Sequence, residues 1–472
     1  MVDVNTFVRN YANAIIDGEA AVFAGAGVSM ASGFPNWGKL VEPVAREIGL
    51  DVNRESDYIS LAQYFVNSRK SRWGIEHLIR EEFAKALPPS DDLKKLARMP
   101  IDTYWTTNYD PLIETALRGQ GKSCDSVDSE KELSSLVPMS DAVVYKMHGD
   151  ARHPNSCVIT KDDYESYSAT HELFISHLKT ALTSKTFLFV GYSFGDPNFE
   201  AVLARIRQVL NGSVRTHYYL TKKVKRGKLS KKEFEYKKKQ QRMFLDDLAR
   251  YGIQAVLLDS YNEVSRTLDR VAALVKRNTV FISGSAAEYG HNWNKNAVSL
   301  VYKLTSSLLD KGFRIVVGHG TGVGSYVIST AITELSPQEF DKRLVIRAIP
   351  HEEKILNKKY DRMMSEYRRD MTERAGVGIF LFGNKRRGGK IVKADGVLDE
   401  YELLRKQGKT VIPIPSTGFA AKKIYKKERK AGRFGPDVER TLRRLSEEYD
   451  PDVVVDEVVA LVLKLSEGKD GC

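Results

Sequence analysis

AAVFAGAGVS (20–29) is the stretch that decides the fold of this chain, because a short apolar run ends there in two glycines and a serine. A short apolar run of this kind is typical of a strand buried in a parallel sheet. Glycines directly after such a strand indicate a tight turn into a helix, where exposed amides can hold a pyrophosphate. The same glycines can also serve close packing alone, so the chemistry of the turn has to be argued from other segments.

Further apolar runs alternate with amphipathic segments along the chain, which is the pattern of a parallel sheet built from strand–helix–strand units. The first half holds TYWTTNYD (103–110), AVVYKMHGD (142–150), TFLFVGYSF (186–194) and IQAVLLD (253–259). A second set follows the helical SRTLDRVAALVKR and consists of TVFISGS (279–285), FRIVVGHGTGVGS (313–325), RLVIRAIP (343–350), VGIFLFGN (377–384) and TVIPIP (410–415). We therefore predict an α/β fold with two Rossmann-like domains, residues 1–277 and residues 278–472.

Composition excludes several classes of protein. The three cysteines, Cys124, Cys157 and Cys472, are too few and too dispersed for a disulfide framework or a four-cysteine zinc site. The opening MVDVNTFVRN lacks the basic and apolar regions of a secretion signal, and no run approaches the ~20 apolar residues of a membrane span. We expect a metal-free cytoplasmic protein without a membrane segment.

The net charge of +12 raises the question of nucleic-acid binding. Much of the excess lies in two runs, residues 221–239 and residues 421–433, where few aromatic residues are available to stack on bases. We interpret both runs as solvated helix faces that attract phosphate-bearing ligands as a side effect. A nucleic-acid partner is therefore not expected.

Polar residues follow several predicted strands of the first half. TTNYD ends in Asn108 and Asp110, KMHGD contains His148, and GYSFGDPN contains Gly191 and Ser193. The carboxyl ends of neighbouring parallel strands open into one crevice, so these side chains are predicted to share a site. Histidine can accept a proton near neutral pH, and an asparagine amide can orient a water or a ribose hydroxyl.

In this order, GAGxS, TxNxD, HGD and GxS resemble the NAD site of the sirtuin family, over roughly residues 10–270. The resemblance implies a small helical subdomain beside the sheet and a catalytic pair, Asn108 and His148, that flanks the nicotinamide ribose. It implies NAD-binding roles for Gly25, Ala26, Gly27, Ser29, Asp110, Gly191 and Ser193, with the first four on the phosphates and the last two on the adenosine side.

The sequence also departs from that family. Protein-deacylating sirtuins usually carry two CxxC zinc pairs, and this chain has neither. The chemistry that remains is cleavage of the nicotinamide N-glycosidic bond with water as the acceptor, which yields ADP-ribose and nicotinamide. Two other functions stay open: a protein deacylase or ADP-ribosyltransferase, and a nucleotide-binding scaffold without catalysis.

In the second half, SGSAAE (283–288), GHGTGVGS (318–325), YRRDMTERAG (367–376) and FGNK (382–385) with GVLDEYEL (396–403) resemble the SLOG family of Rossmann-like nucleotide-binding domains. The glycine loops would supply amides for phosphate, Arg368 and Lys385 would add charge-assisted contacts, and Glu400 would accept ribose hydroxyls. The predicted effector-binding residues are Gly284, Ser285, Gly320, Gly322, Gly324, Arg368, Lys385 and Glu400.

A sirtuin-like domain followed by a SLOG domain resembles the NADase effector family of Thoeris antiphage defence systems. The resemblance implies a bacterial protein that a cyclic ADP-ribose isomer activates through the SLOG domain. A partner TIR-domain enzyme would make that signal during infection, and the effector would assemble as a tetramer or larger homo-oligomer. NAD would be the substrate, with no further cofactor and no metal.

Overall fold

The computed structural model describes residues 1–135, 140–347 and 358–466. The chain divides into two compact units, Met1–Ala272 and Ala273–Cys472. The division falls inside one helix, Asn262–Arg277, whereas the sequence places the domain boundary at the end of that helix.

The first unit contains a seven-stranded sheet in which every pairing is parallel. The strand order is β3-β4-β2-β1-β5-β6-β7, with β1 in the centre. All five residues of β1 and of β5 are buried, as expected of strands covered on both faces. The strands are β1 Ala20–Ala24, β2 Thr103–Thr106, β3 Cys124–Val127, β4 Ala142–Lys146, β5 Thr186–Val190, β6 His217–Lys222 and β7 Ile253–Leu258.

Thirteen helices surround this sheet in the part of the first unit that the structure describes. They are α1 Val4–Ile16, α2 Ala26–Met30, α3 Trp37–Glu47, α4 Tyr58–Arg69, α5 Trp73–Phe83, α6 Asp91–Arg98, α7 Leu112–Arg118, α8 Glu130–Leu133, α9 Lys161–Thr170, α10 Glu172–Ser184, α11 Pro197–Val209, α12 Lys231–Ala249 and α13 Asn262–Arg277.

Helices α3, α4 and α5 form a small separate layer with its own apolar cluster, which includes Val41, Leu61 and Ile75. Tyr109 and Cys157, from the loops after β2 and β4, belong to the same cluster. The helical layer therefore packs directly on the loops that follow the strands.

The second unit contains a five-stranded parallel sheet of order β10-β9-β8-β11-β14 and a separate antiparallel hairpin, β12–β13. The strands are β8 Thr279–Ser285, β9 Arg314–Gly318, β10 Leu344–Arg347, β11 Val377–Phe382, β12 Asn384–Arg387, β13 Lys390–Lys393 and β14 Thr410–Pro413. The helices are α14 Ala297–Asp310, α15 Gly324–Glu334, α16 Pro337–Arg343, α17 Lys358–Arg374, α18 Asp395–Lys406, α19 Phe419–Lys430, α20 Pro436–Arg444 and α21 Pro451–Ser466.

The predicted α/β class with two parallel sheets is confirmed. The sequence pattern did not predict β3, β6 or the β12–β13 hairpin, and the end of the strand predicted at 343–350 lies outside the described residues. β3 is a short edge strand with one buried residue, and the hairpin is mostly exposed, so neither shows an apolar run. Tyrosines take the place of the aliphatic run in β6.

Candidate functional site

The turns after β1 and β5 contact each other through glycine backbones. The amides of Gly25 and Gly27 donate to Val190 O at 3.0 Å and Gly191 O at 2.8 Å. A Cβ atom on Gly25 would lie 2.5 Å from Gly191 O, and Gly191 has a φ of +63°, so neither position accommodates a side chain. These glycines therefore hold two strand ends together, while Ala26 and Gly27 are exposed at the start of α2.

Four of the predicted NAD-site residues form one hydrogen-bonded network. Asn108 Nδ2 donates to Gly25 O at 3.0 Å and to Ser29 Oγ at 2.9 Å, and Ser29 Oγ donates to Asp110 Oδ2 at 2.6 Å. Ser29 and Asp110 are buried, and burial raises the pKa of the Asp110 carboxyl above its ordinary value. The network ties the turn after β1 to the turn after β2, so the Asn108 amide is held in one orientation.

His148 lies in the turn after β4 with its side chain only 4% exposed. Its Nε2 is 3.0 Å from Asp196 Oδ2, which belongs to the loop after β5. The rings of Tyr164 and Tyr167 meet the imidazole edge-on, at centroid distances of 5.4 and 6.3 Å. The structure thus brings the predicted histidine against a buried carboxylate within the GYSFGDPN segment, a role the sequence analysis did not assign to Asp196.

The segments that carry Asn108 and His148 are connected through Tyr109. The Tyr109 hydroxyl donates to Val158 O at 2.7 Å, and the Val158 amide donates to His148 O at 2.9 Å. Tyr109 and Val158 therefore link the two segments by hydrogen bonds.

A buried lysine also joins the segments that carry Asn108 and His148. Lys146 Nζ is fully buried and donates to Tyr109 O at 3.1 Å, to Asp110 O at 2.8 Å and to Asp150 Oδ2 at 2.5 Å. Glu114 Oε1 is 3.3 Å away. Burial acts to lower the pKa of Lys146, but the charges of Glu114 and Asp150 raise it above its ordinary value. A charged lysine therefore fixes the backbone after Asn108 and the HGD turn together.

The KMHGD segment contains Lys146, but its type alone does not reveal this role, because a lysine at a strand end is usually exposed. Asp150 is the second residue of this cluster that the sequence analysis did not assign. Burial acts to raise its pKa, but the hydrogen bond from Arg152 and the charge of Lys146 lower it to about 2. Asp150 is therefore ionised throughout the neutral range.

Ser193 is the predicted residue that the structure leaves apart from these contacts. It is exposed, and its hydroxyl forms no hydrogen bond with any residue the structure describes.

Two cavities of about 380 and 340 Å³ adjoin the site. Asn108 and His148 line neither of them. Their walls include Met30, Phe34, Pro111 and Leu112.

In the second unit, the predicted glycines bring the turns after β8 and β9 into backbone contact. Gly322 has a φ of +76°, and a Cβ atom there would collide with Ala286 O. A Cβ on Gly284 would lie 2.5 Å from Leu381 O, one on Gly320 would lie 3.0 Å from Gly284 O, and one on Gly324 would collide with Gly318 O. These glycines meet a packing requirement whether or not a ligand binds.

The charged residues predicted for this unit fall into two groups. Arg368 and Glu400 are neighbours, with Arg368 Nε 4.0 Å from Glu400 Oε1, and Ser283 Oγ donates to Glu400 Oε2 at 2.6 Å. Burial raises the pKa of Glu400 to about 7, although the hydrogen bond from Ser283 and the charge of Arg368 act to lower it. Lys385, on the hairpin, instead pairs with Asp395 at 3.2 Å. No contact joins it to Arg368 or Glu400 among the residues described.

Asn384 is a residue that the sequence analysis missed in this unit. Its buried side chain accepts hydrogen bonds from the amides of Ala287 and Glu288 at 2.9 and 3.2 Å and donates to Glu288 O at 2.8 Å. Ser285 Oγ donates to Asn384 O at 3.0 Å. Asn384 therefore shapes the turn after β8, which carries the predicted Gly284 and Ser285.

No group of three or more histidine, cysteine, aspartate or glutamate side chains is placed to hold a metal ion in residues 1–135, 140–347 and 358–466. Every helix of this described part falls short of the length and hydropathy that a membrane span requires.

Two family models match the chain. The SIR2-like domain matches residues 102–246, and the Sir2- and TIR-associating SLOG family matches residues 263–467. The two resemblances drawn from the motifs are thereby confirmed.

Curated bacterial proteins are similar over nearly the whole chain. The NAD(+) hydrolase ThsA of Bacillus cereus (strain MSX-D12) is 41% identical over 98% of this chain and 98% of its own. The NAD(+) hydrolase ThsA of Acinetobacter baumannii (strain 532279) is 37% identical, covering 94% and 95%, and that of Cytobacillus dafuensis is 38% identical, covering 90% and 88%.

Proposed function

The chain belongs to the ThsA family of NAD(+) hydrolases, and from that membership we propose that its first unit cleaves NAD(+) to ADP-ribose and nicotinamide in bacterial defence. The observation that carries the site assignment is the position of two held side chains, Asn108 and His148, at the carboxyl ends of the neighbouring strands β2 and β4. A crevice at these strand ends is where open α/β sheets bind their ligands.

The side chains present fit the chemistry of this reaction. Loss of nicotinamide leaves an oxocarbenium-like ribose that water has to capture. The Asn108 amide, held by Gly25 O and Ser29 Oγ, would orient the ribose or the attacking water. His148 would accept the proton of that water as general base. Gly25, Ala26, Gly27, Ser29, Asp110, Gly191 and Ser193 would bind the remainder of the dinucleotide.

In the second unit we place the effector at the turns after β8, β9 and β11. Gly284, Ser285, Gly320, Gly322 and Gly324 form the floor of these turns, and Arg368, Lys385 and Glu400 supply charged groups. The proposed ligand is a cyclic ADP-ribose isomer, whose two phosphates suit a guanidinium and an ammonium group. Such a ligand activates only if it binds the active arrangement more tightly than the resting one.

The wider setting follows from the same family membership. The proposal makes the protein the effector of a Thoeris system, with a TIR-domain enzyme as the source of its activator and a homotetramer or larger assembly as its working form. Because NAD(+) is an intracellular nucleotide, the proposal also includes a cytoplasmic location for the protein.

The test incubates the full-length protein with NAD(+) alone and with each of a panel of cyclic ADP-ribose isomers, and separates the products by chromatography. Equal amounts of nicotinamide and ADP-ribose, formed faster with one isomer, are the expected result. Arg368→Ala should raise the concentration of that isomer needed for half-activation by about tenfold or more. Arg429→Ala, which removes an exposed arginine paired with Glu439, is the control and should leave the activation curve unchanged.

No NAD(+) cleavage with any isomer, in protein that melts cooperatively, would refute the enzymatic part of this proposal. Cleavage that no isomer accelerates would refute the effector part.

A further inference from the structure

Building on the proposed NAD(+) hydrolysis, we propose that Asp196 and His148 act as a carboxylate–imidazole pair, in which Asp196 holds the proton on Nε2 and leaves Nδ1 to accept a proton from the attacking water. Asp196 is in this proposal a positioning residue, because it acts on the reaction through His148.

The contact between the imidazole and a buried carboxylate carries the argument. Nε2 lies 3.0 Å from Asp196 Oδ2, and both side chains are less than a tenth exposed. A carboxylate at that distance stabilises an N–H and repels a lone pair, so the neutral ring carries its proton on Nε2. Nδ1 forms no hydrogen bond with the residues that the structure describes, so its lone pair is the one available to a substrate.

Asp196 is itself held in place. It precedes α11 as its N-cap, where Oδ1 accepts a hydrogen bond from the Phe199 amide at 2.9 Å. The Tyr164 hydroxyl lies 3.4 Å from Oδ2. Burial acts to raise the pKa of Asp196, but the charge of His148 and these hydrogen bonds lower it below its ordinary value. The carboxylate is therefore charged at neutral pH and cannot turn away without uncapping the helix.

Few other charges reach His148. The phenols of Tyr164 and Tyr167, from α9, face its ring, and burial keeps the pKa of Tyr164 well above the ordinary value. Burial lowers the pKa of the nearby His171, and the charge of His148 lowers it further. Asp196 is thus the anion in direct contact with the imidazole.

The reaction step balances as follows. The O–H bond of water breaks as its proton moves to Nδ1, while the water oxygen forms a bond to C1′ of the ribose. The bond from C1′ to the nicotinamide nitrogen breaks, and its electron pair neutralises the positive ring. The imidazolium that results is stabilised by Asp196 and later returns the proton to solvent.

The first test needs no substrate. The full-length protein is labelled with ¹⁵N-histidine, and the signals of His148, one of nine histidines, are assigned by their loss in His148→Gln. The ring-nitrogen shifts above neutral pH are expected to report the Nε2–H form. A dominant Nδ1–H form would overturn the proposal.

The second test uses Asp196→Asn and Asp196→Ser, which both keep an N-cap acceptor for the Phe199 amide and remove the charge. We expect kcat to fall by ~10²- to 10⁴-fold with little change in KM, as for the loss of general-base catalysis. In a His148→Ala background, the same substitutions should cause no further loss.

Asp128→Asn is the matched control, since Asp128 is also buried and lies 2.9 Å from another histidine, His153. It should keep the wild-type kcat. Wild-type kcat in Asp196→Asn would overturn the pair. If the wild-type protein cleaves no NAD(+), the proposed function fails, whereas the ¹⁵N measurement still decides whether the pair exists.

Discussion

Replacing Lys146 by methionine removes the cation that fastens two strand-end segments together. The Lys146 ammonium satisfies Tyr109 O, Asp110 O and Asp150 Oδ2, with Glu114 Oε1 at 3.3 Å. Methionine fills a similar volume, so the change deletes charge and hydrogen bonds with little loss of packing. Glu114 and Asp150 then remain buried without the cation that lies against both of them.

The size of the effect can be worked from these contacts. Breaking a buried ion pair by removing one partner costs roughly 3–5 kcal/mol. Arg152 still compensates Asp150, and Ser126 still donates to Glu114 at 3.0 Å, so the lower end of that range applies. A loss of about 3 kcal/mol lowers the melting temperature of a unit of this size by roughly 6–12 °C. Turnover should fall by about 100-fold, because misplacing a catalytic group by about 1 Å costs that much.

The assay pairs a thermal melt of the full-length protein with NAD(+) cleavage measured at a temperature where the variant is folded. Lys223→Met is the control, because Lys223 also pairs with a carboxylate, Asp259, at 2.9 Å but is about half exposed. That variant should lose less than about 1 kcal/mol. Adding Asp150→Asn to Lys146→Met should restore part of the stability but none of the turnover. A Lys146→Met protein with wild-type melting and turnover would refute the reasoning.

Three further predictions concern both units. His148→Ala and Asn108→Ala should each reduce NAD(+) cleavage by ~10²- to 10⁴-fold in protein that still melts cooperatively, which steady-state kinetics and calorimetry would check together. Burial raises the pKa of Glu400 to about 7, so the folded protein binds this proton more tightly than the unfolded chain does. The stability gained in this way is present at low pH and is lost as the pH rises through 7. Glu400→Gln should therefore flatten the pH dependence of the second unit's melting between about pH 4.5 and 7 by up to about 3 kcal/mol. Gly322→Ala, at a φ of +76° against Ala286 O, should destabilise the second unit by about 2–3 kcal/mol in denaturant melts, and a smaller loss would argue against the turn geometry.

The glycine turns show where sequence reasoning stops in the first unit. The apolar run at 20–24 and the glycines after it predicted a strand, a turn and a helix, and all three are present as β1 and α2. Phosphate binding and close packing both remained open as reasons for the glycines. The structure shows that the backbone of Gly25 meets that of Gly191, so packing by itself requires them.

The catalytic candidates show the same division. The sequence placed Asn108 and His148 at predicted strand ends, which meet at one edge of a parallel sheet. Their catalytic role was implied by the resemblance to the sirtuin NAD site. Asp196 could not be assigned to His148, because the loop after β5 alone places the two side chains 3.0 Å apart.

The periodic pattern of apolar runs, together with the small and polar residues that end them, determined by itself the α/β class, the two sets of strands and the strand ends at which a site was expected. It could do so because burial and turn geometry act on residues close together in the chain. The tertiary structure alone decided that Lys146 is buried beneath both segments, that Asp196 faces His148 and that Glu400 is enclosed by Ser283 and Arg368. Those contacts join loops far apart in sequence, where the cost of burying a charge is offset only by a partner that the fold brings to it.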